Sequence, residues 1–519
     1  MEMKRAAGAL LHPTSLPGKY GVGDLGPEAK YFVDFLEVTG QTLWQMCPLG
    51  PTGYGDSPYQ CLSAFAGNPT LVSPDYLRRD GFVEEADVVA QPIGDPSRAD
   101  FERSARFKND LLSVAFHNYK TATSKKIREE FEAFRERESF WLEDYALFRA
   151  VKEYHGGKHW REWKPEIALR DEGAVKPWRA KLAPEVEYYQ FVQFVFFRQW
   201  NEIREYAAKK NVKIIGDAPI FVSDDSADVW ANRELFDLDD AGKPLHVAGV
   251  PPDYFSETGQ LWGNPLYRWN VMAKDDYRWW RERFRQLFNL FDYVRVDHFR
   301  GFEKYWSVPG DAKTAMKGEW VEGPGAKFFE TIFQHFGDAP IIAEDLGVIT
   351  DAVRELRDRF RLPGMKILQF AFGGKADNDY LPHNVVERSV IYTGTHDNDT
   401  TVGFLEKARR NEPSQFEHVL RYFNCSPENA ASEMIRAAYR SVAAFAVVPM
   451  QDLLHLGSEA RMNTPGAPQG NWTWRLTWDR VWENLSAEYR DMAMLYGRLP
   501  EPPEKKDDEK PAPDADASE

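Results

Sequence analysis

The feature that most constrains this chain is a recurrence of short apolar runs, four of them ending in a carboxylate, with helical stretches between most of them. The runs fall at residues 9–11, 41–46, 212–217, 293–297, 339–344, 364–372, 389–397 and 443–448. Runs this short read as strands buried on both faces, and strands that alternate with helices assemble into parallel sheets. Eight of them at this spacing suggest a closed (β/α)8 barrel of the TIM type, an α/β fold. Two connections are far too long for plain crossovers. Residues 74–184 read as a helical insertion between strands two and three, with helices at 101–119, 125–138 and 140–154. Residues 218–272 read as a loop-rich insertion over the cleft, between strands three and four. One catalytic domain is therefore expected over 1–499, followed at 500–519 by an acidic, proline-rich tail without aromatics, expected to be disordered.

The ends of the strands carry the chemistry. In the run Tyr293-Val-Arg-Val-Asp297, alternation puts Arg295 and Asp297 on one face and Val294 and Val296 on the other. Three more strands finish in carboxylates: Asp217, Glu344 and Asp397. A single such residue could cap the next helix. Four of them, with Arg295, His298 and His396 beside them, read instead as one pocket, because barrel enzymes place their chemistry where strands end. Metal ligation fits less well, since arginine already compensates the charge.

Composition narrows the substrate. With 65 Lys and Arg against 81 Asp and Glu, the net charge of −16 argues against nucleic acid, an anionic membrane surface or a polyanionic substrate. The 17 tryptophans hint at flat stacking surfaces. Three scattered cysteines, Cys47, Cys61 and Cys425, make neither a disulfide framework nor a zinc site. No apolar run approaches the ~18 residues of a membrane span, and no signal peptide is visible, so a cytoplasmic location is expected. Two motifs invite a cofactor or metal. Gly21-Val-Gly-Asp-Leu-Gly26 matches G-x-G-x-x-G, but prolines separate it from the strand and no acidic residue follows at ~20 residues, so it reads as a glycine-rich active-site loop. His155 and His159 have i,i+4 spacing but enclose Gly156-Gly157, with no acidic ligand nearby. Neither a cofactor nor a metal is expected.

Several carboxylates in one pocket under aromatic loops suggest glycoside chemistry. A retaining mechanism needs an ionised nucleophile and a protonated acid/base about 5–5.5 Å apart, although both carboxyls start near pKa ~4. Asp297, next to Arg295, is the one held ionised; Glu344, behind Ile341-Ile-Ala343, is the one whose pKa desolvation would raise. Asp397 with His396 would hold sugar hydroxyls.

The segments 295–301 (Arg-Val-Asp-His-Phe-Arg-Gly), 344–347 (Glu-Asp-Leu-Gly) and 396–398 (His-Asp-Asn) resemble signatures of the α-amylase superfamily. Gly216-Asp-Ala-Pro-Ile220, Asp225-Ser-Ala-Asp-Val-Trp230 and Gly470-Asn-Trp-Thr-Trp-Arg475 narrow the resemblance to 4-α-glucanotransferases of the amylomaltase or disproportionating type, over roughly residues 8–499. The resemblance implies a barrel with insertions and no carboxy-terminal β-sandwich. It also implies transfer of α-1,4-glucan segments through a covalent intermediate, with maltooligosaccharides as partners. It puts the nucleophile on Asp297, the acid/base on Glu344 and the transition-state stabiliser on Asp397. Sugar contacts are implied at Tyr59, Asp217, Arg295, His298 and His396, acceptor contacts at Tyr254, Gln260 and Trp262 in the loop over the cleft, and a further contact at Asn463. No Asn-His pair follows Asp217, and Gly301 stands four residues after Asp297 where amylases carry His or Lys; both departures favour a transferase. The competing functions are an α-1,4-glucan hydrolase and a non-catalytic glucan binder.

Overall fold

The computed structural model describes residues 3–88, 92–171, 173–252, 256–467 and 469–500, without the side chain of Tyr54. The tail beyond residue 500 lies outside the described residues. The barrel strands are β1 (Ala6–Leu10), β2 (Leu43–Gln45), β3 (Lys213–Ala218), β4 (Tyr293–Val296), β5 (Ile341–Ala343), β6 (Gly364–Ile367), β7 (Ser389–Tyr392) and β8 (Phe445–Pro449). They form one eight-stranded sheet in the order β6-β7-β8-β1-β2-β3-β4-β5, with every neighbouring pair parallel. That is chain order wrapped once around a circle. β5 and β6, at the two ends of the order, meet through a hydrogen bond from the Ala343 N–H to the Pro363 carbonyl, 2.9 Å.

Alternation along each strand sorts side chains into two layers. Ile215, Tyr293, Ile342, Ile367, Tyr392 and Val447 point inward and pack as one cluster filling the barrel. Their neighbours Ile214, Val294, Val296, Ile341 and Ala343 point outward into the main core, shared with the surrounding helices. The longest of these helices, Ala183–Lys209, opens on Pro184 and closes on a basic turn, as helix ends favour.

The first insertion contains the three expected helices, Phe101–Ala122, Lys125–Arg137 and Leu142–Tyr154. Phe131 and Phe134 lock onto Phe191, Phe194 and Phe197 of the long helix, so the aromatic content here is packing. The second insertion is more ordered than its sequence suggests. His246–Val250 and Gln260–Pro265 join Lys304–Pro309 and Glu319–Glu322, two strands that follow β4, in a four-stranded antiparallel sheet. Local patterning missed it because Ala248 pairs with Ser307, far away in sequence.

One expectation is corrected. The Gly21–Gly26 loop is buried rather than open toward a ligand. Its Gly21 carbonyl accepts from the Asp100 N–H at 2.9 Å and from the buried Arg475 side chain at 3.4 Å, so it fastens the helical insertion to the barrel. His159 accepts from the Arg161 N–H and faces Asp224 at 3.3 Å, while His155 Nδ1 sits 2.8 Å from the Val151 carbonyl. No group of metal-ligating residues occurs among the described residues. No described helix is long and apolar enough to cross a membrane.

Candidate active site

The pairing register assembles the site. Asp217 on β3 lies opposite Arg295 on β4, and Arg295 lies opposite Ile342 on β5. Two residues further along the inward face of each strand come Asp297 and Glu344, at the carboxyl end of the barrel. Arg295 is only 4% exposed, and a guanidinium at that depth costs several kcal/mol unless it is paired. It is paired twice: Nη1 lies 2.6 Å from Asp217 Oδ2, and Nη2 lies 3.0 Å from Asp297 Oδ1. Its Nε donates to Met365 Sδ on β6 at 3.4 Å. The Tyr59 hydroxyl donates to the same Asp217 oxygen at 2.9 Å.

Glu344 is held from two sides. The His298 N–H donates to Oε2 at 2.6 Å and the Leu346 N–H to Oε1 at 3.0 Å. The His298 donor is available because His298 adopts φ 50°, ψ 49°, a left-handed conformation uncommon away from glycine. This bend turns the chain as it leaves β4, and such backbone strain concentrates at functional sites. Burial pushes the Glu344 carboxyl up to about 8; Arg295 opposes that shift and Asp297 reinforces it. That shift favours the protonated form of Glu344 at neutral pH. Burial also pushes the His298 imidazole down to about 4, leaving it neutral. Gly301 lies against that ring: a Cβ there would come within 3.0 Å of His298 Cδ2 and 2.9 Å of Ile220 Cδ1.

Across the barrel, Asp397 behaves oppositely. Burial would raise its carboxyl, but His396, Asn463 and Arg295 together hold it well below the usual carboxylate range. Asn463 Nδ2 donates to Asp397 Oδ1 at 2.6 Å, and His396 Nε2 lies 3.4 Å from the same oxygen. Asn463 is thus as closely tied to the pocket as any residue implied by the resemblance. The Tyr59 ring stacks on His396 at 5.0 Å. Trp262 meets His298 edge-to-face at 4.9 Å, and its Nε1–H donates to Gln260 Oε1 at 3.2 Å, so the antiparallel sheet delivers both to the rim. Tyr254 and Phe255 lie outside the described residues.

Three further residues belong to the site. Trp472 is buried and tilts against both Tyr59 and His396, at 5.9 and 5.8 Å. Arg461 donates to the Asp397 carbonyl at 2.6 Å and the Asn463 carbonyl at 2.8 Å, bracing that side of the cleft. His12, just beyond β1, is buried and held neutral, with Nδ1 unpartnered. Trp472 and His12 carried a sequence signal, the first in the Gly470–Arg475 motif and the second at a strand end; Arg461 had none.

The chain as a whole is similar to known proteins. A family model described as 4-alpha-glucanotransferase matches residues 11–480. The chain is 50% identical to a 4-alpha-glucanotransferase of Thermus thermophilus over 96% of its own length and 100% of that protein. To the Synechocystis sp. 4-alpha-glucanotransferase it is 48% identical, over 95% of this chain and 98% of that protein. Among solved structures, the amylomaltase from Streptococcus agalactiae in complex with acarbose superposes with a TM-score of 0.92 at 39% identity, covering 96% of this chain and all of that one.

Proposed function

Since the chain belongs to the 4-alpha-glucanotransferase family, we propose that Asp297 and Glu344 are the nucleophile and the acid/base of its transfer reaction. The enzyme is a transferase acting on α-1,4-glucans. Glu344 carries a proton at neutral pH and would give it to the glycosidic oxygen as that bond breaks. The Asp297 carboxylate attacks the anomeric carbon, forming a glycosyl ester and freeing the leaving glucan with its 4-hydroxyl. Glu344, now a carboxylate, then takes the proton from the 4-hydroxyl of an acceptor, which displaces Asp297. Two inversions restore the α linkage. Asp397 and His396 bind sugar hydroxyls, and those bonds strengthen as the ring flattens toward the oxocarbenium-like transition state.

The observation that carries these roles is the asymmetry between neighbouring carboxyls. Arg295 touches Asp297 at 3.0 Å, whereas the Glu344 carboxyl, among the described residues, takes its hydrogen bonds from two backbone amides and is pushed upward by burial. Trp262 over His298, with Gln260 beside it, favours a sugar over water at the second step. Tyr59, Asp217 and Asn463 complete the sugar-binding wall, with maltooligosaccharides as donors and acceptors. The three cysteines are unpaired, which fits a reducing compartment such as the cytoplasm.

Incubation with maltotriose tests this reading. A ladder of longer and shorter maltooligosaccharides plus glucose is expected. Breakdown without any product longer than maltotriose would make the enzyme a hydrolase.

A further inference from the structure

The barrel has one place where two neighbouring strands share no ladder, between β5 and β6, and Glu344 leaves the sheet at that seam. The residue after it fills the gap. Asp345 is 6% exposed, and its Oδ1 accepts the Met365 N–H of β6 at 2.7 Å, standing where a strand carbonyl would otherwise accept. Its Oδ2 is fixed by Arg357 Nη1 at 2.5 Å, from the helix Asp351–Arg359 that follows β5. Gly364 makes room for this: a Cβ there would fall 2.5 Å from Asp345 Oδ2 and 2.8 Å from Oδ1.

The consequence falls on Glu344, the carboxyl that follows directly on this seam. On the β4 side Glu344 is well tied, through its N–H to the Val296 carbonyl at 3.1 Å and through its carboxylate to the His298 amide at 2.6 Å. On the β6 side the side-chain tie is made by its neighbour Asp345. We propose that Asp345 is a positioning residue of the transfer reaction: by closing the β5–β6 seam through Met365 and Arg357, it sets Glu344 against the glycosidic oxygen. The inference rests on Glu344 being the acid/base.

Donors that differ in their need for an acid provide the test. Maltotriose needs its leaving oxygen protonated, whereas α-maltosyl fluoride expels fluoride without help. Asp345→Asn keeps an acceptor for Met365 but loses the Arg357 pair; Gly364→Ala presses on the same carboxylate from the opposite side. Each is expected to lose about ten- to a hundred-fold in kcat/KM with maltotriose, the scale of a misplaced catalytic group, and less than about three-fold with the fluoride. Arg357→Gln, which removes the ion pair to Asp345 together with the exposed pair to Asp358, covers the case in which either substitution prevents folding and is expected to show the same donor-dependent split more weakly. Equal losses on the two donors, or no loss on either, would overturn the inference. Glu344→Gln run in parallel separates the premises: if it shows no preference for the fluoride, the acid/base assignment fails rather than the role of Asp345.

Discussion

Replacing Glu344 with glutamine is expected to stabilise the folded protein increasingly as pH rises, while removing transfer activity. In the unfolded chain this carboxyl titrates near its ordinary 4.5, and in the folded protein burial has pushed it up to about 8. Below 4.5 both states are protonated and the group contributes nothing. Between 4.5 and 8 the unfolded chain releases a proton that the folded one keeps, so wild-type stability falls with each step of pH. Above 8 the loss is complete. At 1.36 kcal/mol per pH unit the full interval is worth about 5 kcal/mol; Glu344 is only half-buried at the mouth, so solvent screening reduces this to about 3 kcal/mol. Glutamine does not titrate. It does set an NH2 group against one of the two amides now donating to the carboxylate, a loss of about 1 kcal/mol that stays the same at every pH. The slope is therefore the diagnostic. Urea denaturation of both proteins from pH 5 to 9 should show the stability difference moving by about 3 kcal/mol in favour of the variant. A difference that stays flat over that range would refute a buried, protonated Glu344.

Two other substitutions probe the frame around it. Arg295→Met leaves Asp217 buried without its cation and should cost about 3–5 kcal/mol in urea denaturation at neutral pH; a cost below about 1 kcal/mol would mean the pairing is not holding the site together. Gly301→Ala drives a methyl into His298 and Ile220, so kcat/KM for maltotriose should fall about ten- to a hundred-fold with only ~1–3 kcal/mol lost in stability, and unchanged kinetics would show that the His298 ring position is unimportant.

The barrel was legible because its signal is local and repeated. Each strand is a short apolar run, and four of them end in a carboxylate at the barrel end that carries chemistry, which is how Asp217, Asp297, Glu344 and Asp397 surfaced together. What stayed hidden depends on contacts between distant segments. The strand His246–Val250 is no shorter than the barrel strands but sits between the turn-rich stretches 239–244 and 251–252, and its partner Lys304–Pro309 lies beyond β4. Arg461 is an ordinary arginine in a loop until the fold brings its guanidinium to the carbonyls of Asp397 and Asn463. The Gly21–Gly26 loop misled in the other direction: its glycines serve close packing, and only the buried Arg475, from the far end of the chain, reveals that. Asp345 sits within a recognisable motif, yet nothing in its own neighbourhood distinguishes a strand-closing carboxylate from a helix cap.

The most direct test of the account is to catch the glycosyl group on the protein. Glu344→Gln, charged with α-maltosyl fluoride, should form the ester but deacylate slowly for want of a base. After an acid quench and peptic digestion, mass spectrometry should find a maltosyl adduct on the peptide containing Asp297, at that residue. An adduct on Asp217 or Asp397 instead, or none at all with a β-configured first product, would contradict a retaining transferase whose nucleophile is Asp297.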